Sequence, residues 1–294
     1  MNALGAVCDV ASLLTRGTAV LKKQGDSPRS DALLLLAHVI SRDRAWIVAH
    51  GEAPVWRGQC ERFLTLCARR AAGMPLAYLL GSAGFYGREF AVDESVLVPR
   101  PETEHLVEEA LRFLAGREAR GRDAATVFDV GVGSGAIGCT IAAENASVFV
   151  EGTDTSRAAI VMAARNARRL GVSARCRFHH GRHGLPVRER VFDAIVANLP
   201  YIPSADVPTP PAPTGFEPRE ALDGGRDGLA VYREFLPSAP PLLAAGGLLL
   251  MEAAPPVIDA LAALAGKTFP QSLLEIGNDY AGLARYVRLV TPAA

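Results

Sequence analysis

Apolar residues recur at three- and four-residue spacing across residues 10–23, 30–40 and 59–72, the period of helices that bury one face. Pro28, Gly51 and Pro54 punctuate these segments, and Gly73-Met74-Pro75 ends the last. Residues 1–80 therefore predict a small helical domain. From Thr126 onward the pattern changes to short unbroken apolar runs alternating with helical stretches. Strands are expected over 126–130, 148–153, 175–179, 192–197 and 247–252, with a helix starting at 136 and another over 157–170 that ends at Gly171. This alternation predicts a doubly wound α/β sheet. Between the two regions, residues 81–104 read as a hairpin and linker, leaving 105–294 for the α/β domain. Pro101, Glu102 and Glu104 suit a helix start, because proline tolerates the first turn and acids favour it.

The strand over 126–130 runs directly into Gly131-Val132-Gly133-Ser134-Gly135 and then into a helix start. Glycines there let the backbone turn sharply and approach a ligand, and a helix N-terminus favours negative groups. The next strand ends in Asp154, about twenty residues on, where a ribose-binding carboxylate is expected in such a unit. Strand, glycine loop, helix, strand and terminal acid in this order indicate ligand binding far better than a lone glycine loop. Asp154 can equally serve as the N-cap of the helix that starts near Ser156.

The strand over 192–197 ends in Asn198-Leu199-Pro200-Tyr201. An asparagine oxygen and a turn carbonyl can accept both hydrogens of a planar –NH2 group while the aromatic ring packs on its flat face. Such a grip would aim a poorly nucleophilic nitrogen at an electrophile, a positioning effect. The same four residues are also ordinary material for a strand-to-loop turn. In a doubly wound sheet Gly131, Asp154 and Asn198 would converge beyond the carboxyl ends of the strands.

The G-x-G-x-G spacing and the Asn-x-Pro-Tyr tetrapeptide resemble class I adenosylmethionine-dependent amino-methyltransferases, whose usual tetrapeptide is Asn-Pro-Pro-Tyr. Three further segments narrow the resemblance. They are Phe85-Tyr86-Gly87-Arg88-Glu89-Phe90-Ala91-Val92, Val98-Pro99-Arg100-Pro101-Glu102-Thr103-Glu104, and the stretch from Glu217-Pro218-Arg219-Glu220 through Gly228-Leu229. Together they resemble the HemK/PrmC family of protein-(glutamine-N5) methyltransferases over nearly the whole chain. That resemblance implies a Rossmann-like fold, S-adenosyl-L-methionine as cofactor, and methylation of the glutamine in a Gly-Gly-Gln motif of peptide chain release factors. A ribosomal protein is the lesser candidate substrate. It also implies roles: Gly131, Val132, Gly133, Ser134, Gly135, Asp154, His183 and Asn198 for the cofactor, and Asn198, Leu199, Pro200 and Tyr201 for the target amide. The helical domain would help recognise the protein substrate, and the segment around Pro101 would close over the cofactor site.

Two positions depart from the family pattern. Leu199 stands where the family usually has its first proline, as it does in the Asn-Leu-Pro-Tyr of ribosomal RNA adenine dimethyltransferases. Arg182-His183 stands where the family commonly has an acid and then an aromatic. Arg182 cannot accept a hydrogen bond from an adenine amino group. His183 can still stack on the ring.

Bulk properties restrict the alternatives. With 294 residues and 49% hydrophobic content, the chain can bury one sizeable core and a second small one. Its 31 basic and 31 acidic residues balance, whereas a nucleic-acid protein usually carries a basic excess or patch. Residues 1–80 hold ten Lys/Arg against six Asp/Glu, a mild +4. No apolar run approaches the roughly twenty residues of a membrane span, and no signal pattern opens the chain. A cytoplasmic monomer with reduced thiols is expected: the five cysteines form no C-x-x-C pair. His179, His180 and His183 lack a Cys or acidic partner at metal-ligand spacing, so no metal is expected. Cys139 reads as a small buried residue, Ser134 as a loop residue without a His–Asp relay, and Tyr280 and Tyr286 as strand residues. Seven prolines between Pro200 and Pro218 predict a stiff loop long enough to act as a substrate-binding lid. Two other readings stay open: an adenine-N6 or guanine-N2 methyltransferase acting on RNA or DNA, and an inactive paralogue retained as a binding module.

Overall fold

The computed structural model describes residues 6–22, 27–118 and 124–293. These form two compact units, residues 1–81 with 208–216, and residues 82–207 with 217–294.

The first unit is mainly helical: α1 (Val10–Leu21), α2 (Pro28–Ile40), α3 (Arg44–Ala49), α4 (Arg57–Ala71) and α5 (Leu76–Leu80). Lys23, the expected end of the first helix, lies outside the described residues. Asp9 caps α1 by accepting the Ser12 N–H at 2.7 Å, and Asp43 caps α3 through the Trp46 N–H at 2.7 Å. Leu13, Leu35, Leu36 and Phe63 are fully buried between the helices. A Cβ on Gly17 would stand 2.3 Å from the Phe63 ring, so only glycine lets α1 approach α4 this closely. One feature was not expected: β1 (Ala6–Asp9) pairs antiparallel with β2 (Pro54–Trp56). Strands this short carry too few residues to show an alternating pattern. The proline-rich segment is no free loop either, since residues 208–216 belong to this unit and Phe216 packs on its core.

The second unit opens with a hairpin, β3 (Ser82–Phe85) and β4 (Arg88–Ala91), turning at Tyr86 and Gly87 with φ of 50° and 69°. Two positive φ values in a two-residue loop match the twist of paired strands. A short 3-10 turn over Pro101–Thr103 leads into α6 (Glu104–Glu118). Then follow β5 (Ala125–Val130), α7 (Ala136–Glu144), β6 (Val148–Asp154), α8 (Arg157–Arg169), β7 (Cys176–His180), β8 (Phe192–Ala197), α9 (Ala230–Phe235), β9 (Leu243–Glu252), α10 (Pro255–Thr268), β10 (Leu273–Asn278) and β11 (Ala284–Val290).

The seven-stranded sheet has the order β10-β11-β9-β8-β5-β6-β7, and β11 alone runs against the others. Its apolar strands are buried on both faces with strict alternation. Ala194, Val196, Leu248 and Leu250 pack with α6 and α7, while Ile195, Ala197, Leu249 and Met251 pack with α9 and α10. The sequence of strands changes direction at β5, between β6 and β8, and ligands bind at the carboxyl ends of such a switch point. Tyr286 lies in β11 as expected. Tyr280 does not lie in a strand: it sits in the β10–β11 turn, 83% exposed, with its hydroxyl on Glu108. Gly277-Asn278-Asp279 before it and Gly282 after it are residues that favour a turn, which Asp279 closes by accepting the Leu283 N–H at 2.9 Å. No helix among the described residues is long and apolar enough to cross a membrane.

Candidate functional site

Parallel pairing sets three strand ends level. Val130 is opposite Thr153 on one side and Ala197 on the other, so Gly131, Asp154 and Asn198 emerge side by side. The glycine loop follows β5 with φ of +78°, +53° and +80° at Gly131, Gly133 and Gly135, a region L side chains rarely adopt. The N–H groups of Gly131 and Val132 both donate to the Thr153 carbonyl, at 2.9 and 3.1 Å. A Cβ on Gly133 would meet no heavy atom within 4 Å, so this stretch of backbone faces open space.

Asp154 holds the loop from the next strand. Its Oδ2 accepts the Gly133 N–H at 2.9 Å and its Oδ1 accepts the Ser156 N–H at 2.8 Å. The N-cap of α8 is Ser156, whose hydroxyl accepts the Ala159 N–H at 3.2 Å. Burial raises the Asp154 carboxyl, against the two N–H groups that favour its charged form. Each oxygen keeps room for a further donor. Asp129, on β5, is fully buried and was not singled out from the sequence. Its Oδ2 accepts the Gly138 N–H at 2.9 Å, fixing the first turn of α7 beneath the loop.

A cavity of about 340 Å³ opens over these strand ends, within the range of small-molecule sites. Gly131, Val132, Gly133, Ser134, Asp154, His183, Asn198, Leu199 and Pro200 line it. Gly135 and Tyr201 do not. Gly135 is the N-cap of α7, packed near Ala163, and Tyr201 turns its hydroxyl to Glu252 Oε1 at 3.3 Å.

His183 has a positive φ of 49° and its carbonyl accepts the Thr153 hydroxyl at 2.8 Å. Its ring lies 5.9 Å from that of Phe235, and Nε2 is buried without a hydrogen-bond partner, 3.6 Å from Glu234 Oε2. Burial lowers its pKa below the usual histidine value, although the Glu234 carboxylate pulls the other way. The ring is therefore neutral near pH 7. Arg182 turns outward and pairs with Glu234, both more than half exposed, a contact that contributes little to stability. His179 pairs with Glu151 at 2.9 Å, and no group of residues suited to a metal occurs among the described residues.

The tetrapeptide is held from three directions. Asn198 donates from Nδ2 to Thr103 Oγ1 at 3.2 Å. The Leu199 N–H donates to the Tyr232 hydroxyl at 3.3 Å, and that oxygen lies 3.1 Å from the Ala197 carbonyl and 2.5 Å from the Glu252 carbonyl. Arg100 bonds Glu217 at 2.6 Å, joining two of the motif segments that flank the site. The chain after Tyr201 pairs back on the second segment, with Ile202 N–H donating to Leu222 O at 3.0 Å and Gly224 N–H to Ile202 O at 2.8 Å.

Sequence reasoning assigned no role to Asp129, Tyr232 or Glu252. Asp129 and Glu252 did leave a signal, since an acid inside an otherwise apolar strand is a buried charge that needs a reason. Tyr232 left none.

Residues 12–81 match the family described as the PrmC N-terminal domain, and residues 108–209 match the methyltransferase small domain. The chain is 43% identical to a release factor glutamine methyltransferase of Bordetella pertussis over 225 residues, which is 76% of this chain and 81% of that one. It is 40% identical to a release factor glutamine methyltransferase of Moorella thermoacetica over 260 residues, 88% of this chain and 90% of that one. Among solved structures, a methyltransferase of Pyrococcus furiosus superposes with a TM-score of 0.52 at 16% identity, covering 81% of this chain and all of that one, which shows the shared fold. Identity at this level over most of both sequences, on a methyltransferase sheet, makes this chain a member of the release factor glutamine methyltransferase family, enzymes that use S-adenosylmethionine as methyl donor.

Proposed function

We propose that this protein methylates the side-chain amide nitrogen of a glutamine in a peptide chain release factor, at its Gly-Gly-Gln motif. The observation that carries this reading is the orientation of Asn198. With Nδ2 engaged by Thr103, Oδ1 is left to accept an N–H from a planar amine in the cavity. The Leu199 carbonyl accepts the other. Both hydrogens of the glutamine –NH2 are then fixed in the amide plane, and the nitrogen presents its face at a set angle. Pro200 shapes the wall of this pocket, and Tyr201 supports it from behind through Glu252.

The residues fit S-adenosylmethionine. Gly133 exposes bare backbone to the cavity, Asp154 has spare acceptor capacity for ribose hydroxyls, and His183 offers a neutral ring with an unpartnered Nε2. The remaining loop residues, Gly131, Val132, Ser134 and Gly135, shape the cradle. The cofactor supplies an electrophilic methyl group on a good leaving group. What the chain must do is align the amide and exclude water. One N–H proton is lost on methylation, to solvent. The helical unit serves to recognise the protein substrate, and neither a metal nor a nucleic acid takes part.

The test is incubation with isotopically labelled S-adenosylmethionine and, separately, purified release factor, ribosomal protein and RNA, followed by mass mapping. Label on the Gly-Gly-Gln glutamine supports the proposal. Label on a base or on a ribosomal protein alone overturns the substrate assignment.

A further inference from the structure

Cys8 and Cys60 lie 52 residues apart in the chain, yet their sulfurs stand 2.9 Å from one another. The local fold of the helical unit brings them together. Cys8 lies in β1 opposite Val55 of β2, just after a break in the register of that ribbon. β2 runs straight into α4, so Cys60, one turn into the helix, comes back to the ribbon, and its Sγ lies 3.8 Å from the Val55 carbonyl oxygen. Both residues are free thiols. Sulfur is a large atom, and thiols that merely pack stand farther apart than this. A closing movement of roughly 1 Å would complete a bond of about 2.05 Å between them.

The two thiols differ in access. Cys8 is half-buried near the start of β1, whereas Cys60 is 5% exposed. Burial and the adjoining Cys8 thiol push the Cys60 pKa up, against the charge of Arg16. A reagent in solvent therefore meets Cys8 first, with Cys60 directly behind it. The other cysteines, Cys67, Cys139 and Cys176, are all buried, a setting in which thiols are inert. Two sulfurs alone make no closed metal site, and no group of residues suited to a metal occurs among the described residues.

We propose that Cys8 and Cys60 are an oxidisable pair, which a peroxide converts into a disulfide that clips β1 to α4. The inference is independent of the methyl-transfer reading. The Cys8 thiolate attacks one peroxide oxygen and breaks the O–O bond, which gives a sulfenic acid and releases water or an alcohol. The Cys60 sulfur then attacks the Cys8 sulfur. The S–S bond forms, the S–O bond breaks, and the hydroxyl leaves as water with the Cys60 proton. Two thiols have then given up two electrons, and the peroxide has taken them. Contact with Cys60 favours this closure over further oxidation of Cys8. The bond closes a loop of 52 residues that runs through α1, α2, α3 and β2, and so restricts the unfolded chain. A thiol reductant reverses it. The helical unit thereby becomes more stable under oxidising conditions than under reducing ones.

The experiment treats reduced, full-length protein with hydrogen peroxide, alkylates the remaining thiols and maps the peptides by mass. Thermal midpoints are read before treatment, after it, and after a dithiol reductant is added back. Wild type should lose the mass of two hydrogens and yield a peptide in which Cys8 is joined to Cys60. Its midpoint should rise by several degrees and return on reduction. Cys8→Ser and Cys60→Ser should show neither the joined peptide nor the shift. Cys8 and Cys60 that both remain open to alkylation after treatment overturn the proposal. So does Cys8 driven to the sulfinic acid beside a free Cys60, or a bridge that joins two chains. Should Cys60→Ser fail to fold, the wild-type peptide map and Cys8→Ser decide.

Discussion

Asp154 Oδ2 accepts the Gly133 N–H at 2.9 Å, so the carboxylate at the end of β6 also holds the middle of the glycine loop after β5. One side chain therefore shapes the cradle and faces its contents. Replacing it by alanine removes the acceptor proposed for the ribose and frees both the Gly133 and Ser156 N–H groups. Asp154→Ala should weaken S-adenosylmethionine binding by about 10- to 100-fold, on the order of 1.4–3 kcal/mol. Titration calorimetry checks this. Asp154→Asn keeps an oxygen for Gly133 but carries one acceptor fewer, and should lie between the two.

Asn198 lines the same cavity from the end of β8. Asn198→Ala removes one of the two acceptors proposed for the glutamine amine and leaves the glycine loop untouched. Single-turnover transfer should fall by about 100-fold, while the cofactor Kd moves less than about threefold. A variant with wild-type turnover would remove Asn198 from the mechanism.

How much of this was legible in the sequence follows the range of each interaction. The glycine loop, Asp154 and the tetrapeptide each announce themselves locally, because tight turns and strand ends need particular residues. The two-faced burial of β8 and β9 was legible as unbroken apolar runs such as 192–197. Thr103, Tyr232 and Glu252 were not assigned, because their roles depend on β9 lying next to β8 and on the 3-10 turn at Pro101 reaching the end of β8. Those neighbours are 95 residues apart for Thr103 and Asn198 and 51 for Tyr201 and Glu252. Leu199 shows the same limit. As a letter it is only a missing proline, whereas in the fold its side chain is buried and its N–H is bound by Tyr232, a bond a proline could not make.

The Tyr232 hydroxyl is the single group that serves the Leu199 N–H and the main-chain ends of β8 and β9. Tyr232→Phe keeps the ring in the core and leaves these backbone groups short of a partner. Unfolding free energy should drop by about 1–3 kcal/mol, read by chemical denaturation. Because Leu199 supplies a proposed acceptor, transfer should slow as well, and more than cofactor affinity changes.

Asp129 gives the last expectation, about pH. Burial raises its carboxyl from the ordinary 3.8 to about 7, and the Gly138 N–H only partly opposes this. A carboxyl with a raised folded pKa prefers to be protonated in the folded state. Its contribution to stability is fully present below about 4 and is lost as pH rises through about 7. The raised Glu252 carboxyl acts in the same direction, whereas His183 and His38, whose pKa values burial lowers, act in the opposite one. The fair measurement is therefore a difference. Asp129→Asn keeps an oxygen for Gly138 and cannot ionise, so it leaves every other group in place. Relative to this variant, wild-type protein should lose stability between pH about 4 and about 7, by an amount on the order of a few kcal/mol, and little beyond. Urea unfolding of both proteins at a series of pH values checks it. A constant difference would mean that Asp129 ionises in the fold as readily as it does in solvent, and that its burial is compensated by more than the Gly138 amide.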